Sequence, residues 1–210
     1  MVRPVLLVEG DGDREAVPEL MRRLFAHLGL IGIPAPRPIL CGDVRKLLRT
    51  GEVEKFVTYA CRRSDGDSVL LTVDCEDECP VEVARELALR IAPLAERHRR
   101  RVGLVFLERE FETLFLYSLP SLTAAFPEFG WDLDKDATEH DWTTVRDAKG
   151  RLNKAMSRHW YKETRDQVRF AARVDLDRLA ERSRAFLHCQ RTLLWLSDPE
   201  AEAWVYPALA

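Results

Sequence analysis

Continuous apolar runs alternate with amphipathic segments over the first half of this chain. Residues 2–8, 68–73 and 101–107 are short apolar runs that end at acidic residues, as buried parallel strands commonly do. Residues 37–42 form a weaker run of the same kind. The pattern predicts four strands, each followed by a segment with helical spacing of its apolar positions.

The helical segments carry start and stop signals. The first helix is expected to begin within residues 13–17, because Pro18 is tolerated only near a first turn, and to stop at Gly29. Pro80 suits the first turn of a later helix, which Pro93 is expected to kink or break.

Two further regions are read from capping and turn residues. Asp43 is a candidate N-cap of a helical segment that Gly51 is expected to interrupt. Residues 120–146 are rich in prolines, aspartates and aromatic residues and are expected to be irregular. Two or three helices should follow, the strongest over residues 175–196.

This order of elements predicts an α/β fold, a doubly wound parallel sheet with helices on both faces. We assign it to residues 1–120 and expect residues 121–210 to form a basic helical extension packed on that core. A chain of 210 residues, 46% of them hydrophobic, is long and apolar enough for one sizeable core.

Composition points to the cytoplasm. No apolar run approaches the roughly 20 residues that span a bilayer, and the start of the chain turns acidic too early for a signal peptide. Five cysteines, an odd number without a paired framework, favour reduced thiols. We therefore expect a cytoplasmic protein without membrane association.

The charge is unevenly distributed. The whole chain has a formal net charge of −3, whereas the stretch from Thr143 to Arg191 contains thirteen basic and six acidic residues. This asymmetry suits contact with a polyanion such as DNA or RNA. The alternative is a solvated helix surface with ion pairs one turn apart.

Acidic residues follow three of the predicted strands. Ligands of doubly wound sheets bind beyond the carboxyl ends of the strands, so these acids are expected to lie in such a crevice. If the third strand continues in extended form, Asp74 and Glu76 share one side, and Glu9 faces them from the neighbouring strand. The acids concerned are Glu9, Asp11, Asp13, Asp74, Glu76, Asp77, Glu108, Glu110 and Glu112.

Such a cluster has an electrostatic cost. Two like charges repel by about 4 kcal/mol at roughly 4 Å and an effective dielectric near 20. Protonation, splaying into water or a bound cation can relieve the repulsion, and oxygen-only ligands suit Mg²⁺ or Mn²⁺. For Asp13 and Asp77 the alternative role is helix capping, and for Glu110 and Glu112 it is a place in the first turn of a helix.

Two other motifs fail on inspection. The stretch GDGDRE resembles a dinucleotide-binding loop, but Glu15 occupies the position of the third glycine. Cys75 and Cys79 lack a second nearby pair of zinc ligands, so buried free thiols are expected instead.

Several sequence blocks resemble known families. VEGDGD after the first strand and DCED after the third resemble the signature pair of Toprim domains, although Glu76 stands where Toprim domains usually have Asp. The blocks EREFETLFL, KGRLNKAM, YKETRDQVRFAARVDL and RSRAFLHCQRTLLWL resemble an uncharacterised bacterial family related to RloB-type proteins and OLD nucleases. Members of that family are often encoded beside ATPases of the AAA or ABC type and are suspected of acting in phage defence.

The resemblance implies a metal-dependent nuclease that cleaves nucleic-acid phosphodiesters, working with an ATPase partner. It implies Glu9 as general acid or base and metal ligand, and Asp74 and Glu76 as further ligands of Mg²⁺ or Mn²⁺, with Asp77 as a substitute. The alternatives are a non-catalytic subunit of an ATPase complex and phosphoryl transfer on a nucleotide. Lys162 is the second catalytic candidate, as a cation on the scissile phosphate. Secondary candidates are Asp13, Glu110 and Glu112 near the metal and Arg109 and Lys154 on the same phosphate, and an ordinary surface role is the alternative for each of the three cations.

Overall fold

The fold is built on a five-stranded, all-parallel sheet. A computed structural model describes residues 1–133 and 140–207. Its strands lie in the order β2-β1-β3-β4-β5. They are β1 (Pro4–Val8), β2 (Ile39–Leu40), β3 (Ser68–Asp74), β4 (Arg101–Leu107) and β5 (Val205–Tyr206).

The predicted α/β class and doubly wound parallel sheet are confirmed, as are the four strands of the first half. The sequence did not reveal β5. This strand has two residues, paired with Val102 and Gly103 of β4, and two residues are too few to produce an alternating pattern.

Helices cover both faces of the sheet. The first face carries α1 (Asp13–His27), α5 (Glu112–Tyr117), α6 (Leu119–Ala125), α7 (Ala148–Ala155), α8 (Val168–Ala171), α9 (Leu176–Arg182) and α10 (Arg184–Ser197). The second face carries α2 (Val44–Leu48), α3 (Glu52–Cys61) and α4 (Pro80–His98). Short 3₁₀ turns cover Pro127–Phe129 and Trp142–Thr144, and a π-helical turn, Glu163–Gln167, leads into α8.

Side-chain alternation along the strands produces two hydrophobic cores. Leu6 and Val8 of β1 pack into the core of the first face, whereas Val5 and Leu7 pack into that of the second. Every residue of β1 is therefore buried, and an uninterrupted apolar run results. The first core also includes residues from α6 through α10, so the chain beyond residue 120 packs directly on the sheet.

Most of the predicted helix boundaries are confirmed. Asp43 caps α2 by accepting a hydrogen bond of 2.7 Å from the Lys46 amide, and Gly51, at φ 85°, separates α2 from α3. The helix predicted over residues 175–196 is instead two helices. Ser183 has an extended backbone between them, and its hydroxyl caps α10 by accepting from the Phe186 amide at 3.1 Å.

Pro93 does not break α4, which continues from Pro80 to His98. A proline within a helix leaves the carbonyl four residues earlier without its donor. Here that carbonyl belongs to Leu89, whose side chain is exposed, so water has access to this side of the helix.

All five cysteines are free, with Cys79 exposed and the other four buried. Among the residues that the structure describes, no helix has the length and apolar character needed to cross a membrane.

Gly103 sets the distance between β4 and α10. A Cβ atom at this position would collide with Cγ2 of Thr192 and lie 3.2 Å from Cδ1 of Leu70. Gly103→Ala is therefore expected to lower the free energy of unfolding by about 1–3 kcal/mol, measured by urea denaturation. Thr192→Ser removes the obstructing methyl group, so the double variant should recover part of this loss. Equal stability of Gly103→Ala and wild type would contradict the packing described.

Candidate functional site

The strand order creates a crevice at the carboxyl edge of the sheet. β2, the next strand along the chain, lies on one side of β1, and β3 lies on its other side. In such sheets ligands bind where the order reverses, here between β1 and β3. Glu9 directly follows β1 and Asp74 ends β3, so both lie at this point.

Glu9 and Asp74 are in contact across the two strands. Oε2 of Glu9 accepts a hydrogen bond of 3.1 Å from the Asp74 amide. Burial raises the pKa of Glu9 to about 7, against the lowering effect of that hydrogen bond, and the charges of Asp13, Asp43 and Glu76 raise it further.

Asp13 joins this pair from the first turn of α1. Its carboxylate accepts hydrogen bonds from the Gly10 amide at 3.1 Å and from Nε2 of Gln167 at 3.0 Å. Burial nevertheless raises its pKa. The turn after β1 is therefore fixed to the π-helical turn of the C-terminal half.

Glu112 supplies the fourth carboxyl group from the start of α5. It is a buried residue, 3% exposed, and its Oε1 accepts a hydrogen bond of 2.8 Å from the Tyr161 hydroxyl. Burial raises the pKa of Glu112 in spite of this bond. Burial also raises the pKa of the Tyr161 phenol, so the phenol stays protonated and donates.

We call Glu9, Asp13, Asp74 and Glu112 the acidic cluster. The pKa of Asp74 lies well above its usual value, first because the carboxyl group is shielded from water and then because Glu9, Glu112 and Asp13 carry like charge. The pKa values of all four carboxyl groups are raised, and the negative charge of their ionised forms would attract a cation.

Lys149 on α7 is a basic residue whose charge acts on the acidic cluster. Its charge lowers the pKa of both Asp13 and Glu112, and its ammonium group forms an ion pair with Glu163. The sequence did not single out Lys149, Tyr161 or Gln167. Two of the recognised blocks contain them, but only the fold brings these common residue types to the acids.

Glu76 and Asp77 lie in ion pairs beside the acidic cluster. The expectation that Asp74 and Glu76 share one side of an extended strand is wrong, because β3 ends at Asp74 and Glu76 has a left-handed φ of 48°. Oε2 of Glu76 lies 3.3 Å from Arg45. Asp77 Oδ1 lies 2.5 Å from Arg109. Neither Glu76 nor Asp77 is the N-cap of α4.

The remaining candidates have different surroundings. Glu110 accepts hydrogen bonds from the first amides of α7, at 3.3 Å from Ala148 and 3.2 Å from Lys149, so it acts at a helix N-terminus. Lys154 and Lys162 are exposed, and neither ammonium group forms an ion pair within the described ranges 1–133 and 140–207.

One comparison with known proteins finds a match. The family model of a domain of unknown function, DUF4276, matches residues 8–194. The chain belongs to the DUF4276 family. No curated protein matches it, and no solved structure matches it. The matched region contains the whole acidic cluster together with Lys149, Tyr161 and Gln167.

The donor atoms available in this DUF4276 chain are carboxylate oxygens, which suit a hard divalent cation such as Mg²⁺ or Mn²⁺. Burial and like charge disfavour the ionised forms of Glu9 and Asp74, and a bound divalent cation would offset this cost. Outside residues 134–139 and 208–210, no group of three or more His, Cys, Asp or Glu side chains is arranged to hold a metal ion. The carboxylate oxygens of the acidic cluster suit such a cation, but the four side chains would have to change conformation to coordinate it.

Glu9 makes the stability of this DUF4276 protein depend on pH. Its pKa rises from 4.5 to about 7 in the folded state, so the associated stability is present below pH 4.5 and is lost as the pH passes 7. Glu9→Gln removes the buried charge and should raise the free energy of unfolding by about 1–2 kcal/mol at pH 8, a value reduced for partial solvent screening. At pH 4.5 the gain should largely disappear.

The measurement is urea denaturation in EDTA between pH 4.5 and pH 8. Glu96→Gln is the matched control, because Glu96 is exposed near the far end of α4 and should show no such pH-dependent gain. A difference between wild type and Glu9→Gln that stays constant with pH would contradict the buried titrating carboxyl group.

Proposed function

We propose that this DUF4276 protein is a Mg²⁺- or Mn²⁺-dependent nuclease that cleaves nucleic-acid phosphodiesters. The supporting observation is the acidic cluster: four carboxyl groups from three separate parts of the chain, with raised pKa values, at the β1–β3 crevice. Repulsion among such groups is unfavourable for folding, so their convergence favours a role that needs negative charge.

Glu9 and Asp74 would hold the metal ion, assisted by Asp13 and Glu112. A bound divalent ion would lower the pKa of a water molecule and offset negative charge on the phosphate. In the cation-free cluster the pKa of Glu9 is about 7, so Glu9 can exchange a proton near neutral pH. A bound divalent cation would lower this pKa and favour the carboxylate form, which serves as a metal ligand or as a base. The Asp74 amide fixes the Glu9 carboxylate, and the Tyr161 hydroxyl fixes that of Glu112.

Basic residues beside the acidic cluster support a polyanionic substrate. Lys149 lies near Asp13 and Glu112, while Lys154 and Lys162 extend into solvent from the same part of the chain. The stretch from Thr143 to Arg191 has thirteen basic and six acidic residues. Cations contacting the phosphate backbone would position the strand over the carboxyl groups.

The proposal includes the Toprim-type kinship suggested by VEGDGD and DCED, and with it a relation to RloB-type and OLD nucleases. It also includes a cytoplasmic role in phage defence together with an AAA- or ABC-type ATPase. These parts depend on the resemblance of the sequence blocks, whereas the hydrolytic chemistry depends on the acidic cluster.

Purified protein incubated with plasmid, single-stranded DNA or RNA should cleave at least one of them with Mn²⁺ and none in EDTA. Glu9→Gln and Asp74→Asn should lower the cleavage rate by about 10²-fold or more, because each removes a proton-transfer group or ligand charge. The Glu96→Gln control should cleave at the wild-type rate. Undiminished cleavage by Glu9→Gln would contradict the proposal.

A second candidate is a non-catalytic subunit of an ATPase complex. The observation that favours it is that no three acidic, His or Cys side chains already converge around a metal position in the described part of the chain. Absence of cleavage on all three substrates with either metal, together with stable association with a purified ATPase partner, would support this candidate over the nuclease.

A further inference from the structure

Trp160 is an exposed aromatic residue beside the acidic cluster. Its side chain is 69% exposed, although the next residue, Tyr161, is buried and donates a hydrogen bond to Glu112. The indole therefore lies at the surface one residue away from a side chain that reaches the carboxyl groups. Large aromatic side chains in such positions can stack on the bases of nucleic acids.

Contacts with other residues hold the backbone before and after Trp160. The His159 ring stacks on Phe129 with ring centres 3.7 Å apart, and the Trp160 carbonyl accepts a hydrogen bond of 2.6 Å from Arg165. On the other side, the Tyr161 amide donates to Oδ1 of Asn153 at 2.7 Å. The exposed indole is thus presented by an ordered segment.

A buried carboxylate organises this segment. Asp166, 0% exposed, accepts hydrogen bonds from the Lys162 amide at 2.8 Å and from Arg165, and its Oδ2 lies 3.0 Å from Nε2 of His159. Burial opposes its ionisation, but these donors together lower the pKa of Asp166, so it stays charged. Asp166 thereby links His159, the Lys162 backbone and Arg165 within the segment 159–166.

Lys162 shares the outer side of the segment with Trp160. Burial alternates along the chain, with Trp160 exposed, Tyr161 buried and Lys162 exposed. In an extended segment, residues two apart point the same way and are separated by roughly 6.6 Å. Side chains that leave the backbone on one side at this spacing can reach the base and the phosphate of one nucleotide.

We propose that Trp160 and Lys162 form a contact site for single-stranded nucleic acid, with an unpaired base stacked on the indole and a phosphate on the ammonium group. Duplex bases are stacked on one another, so only an unpaired base can offer its face to Trp160. The exposed Arg158 and Lys154 add positive charge nearby. This inference rests on the proposed nuclease for its biological purpose but concerns binding, which is measured separately.

The test uses fluorescence anisotropy of a labelled DNA strand and of its duplex, in EDTA so that nothing is cleaved. Trp160→Ala should weaken single-strand binding by about 5- to 100-fold, and Trp160→Phe should retain most of the affinity. Duplex binding should change little. Tyr59→Ala is the matched control, because Tyr59 is 60% exposed on α3, which covers the opposite face of the sheet.

Lys162→Gln provides an independent readout. Loss of one phosphate contact should reduce the slope of log affinity against log salt concentration by about 0.7 for a single strand. Lys162→Gln should weaken single-strand and duplex binding by similar factors, whereas Trp160→Ala should weaken mainly single-strand binding. An unchanged salt slope would overturn the assignment of the phosphate contact to Lys162.

The inference is overturned if Trp160→Ala binds the single strand as wild type does, or loses affinity equally for strand and duplex. It is likewise overturned if wild-type protein binds neither DNA nor an RNA strand of the same sequence. If Trp160→Ala loses single-strand affinity while wild type cleaves nothing with Mn²⁺, the binding site stands and the nuclease proposal alone fails.

Discussion

Burial of four carboxyl groups at the carboxyl edge of the sheet is the constraint on which the rest of this site depends. Burial raises the pKa values of all four members of the acidic cluster, and the like charges of other members raise those of Glu9 and Asp74 further. Hydrogen bonds from the Asp74 amide, Gln167 and Tyr161 offset part of that cost. The fold therefore spends stability to keep these acids together, as functional sites commonly do.

The C-terminal half completes what the sheet begins. The strands provide Glu9 and Asp74, but the donors to Asp13 and Glu112 and the charge of Lys149 come from residues 149–167. The same half supplies the helices of the first face and the edge strand β5. The core of the first face and the contacts around the acidic cluster are consequently assembled from both halves of the chain.

Two charged arrangements near the crevice have opposite electrostatic characters. In the acidic cluster, burial and then like charge raise the pKa of Asp74, and a bound cation would offset both effects. At Asp166, donors from Arg165, His159 and the Lys162 amide satisfy a buried charge and fix the segment that presents Trp160. The first arrangement is the one for which we propose a catalytic role, and the second stabilises a local backbone conformation, although both begin with a buried carboxylate.

The sequence determined the α/β class, the four principal strands and the positions of Glu9 and Asp74 at strand ends, because buried parallel strands are uninterrupted apolar runs and ligands bind beyond them. Only the tertiary structure decided that Glu112 faces Asp74 while Glu76 turns toward Arg45, since a left-handed residue after β3 reverses the expected alternation. Only the tertiary structure brought Lys149, Tyr161 and Gln167 to the acids and divided the helix predicted over residues 175–196 into α9 and α10. Those contacts join residues far apart in the chain, and local patterns carry no information about such pairs.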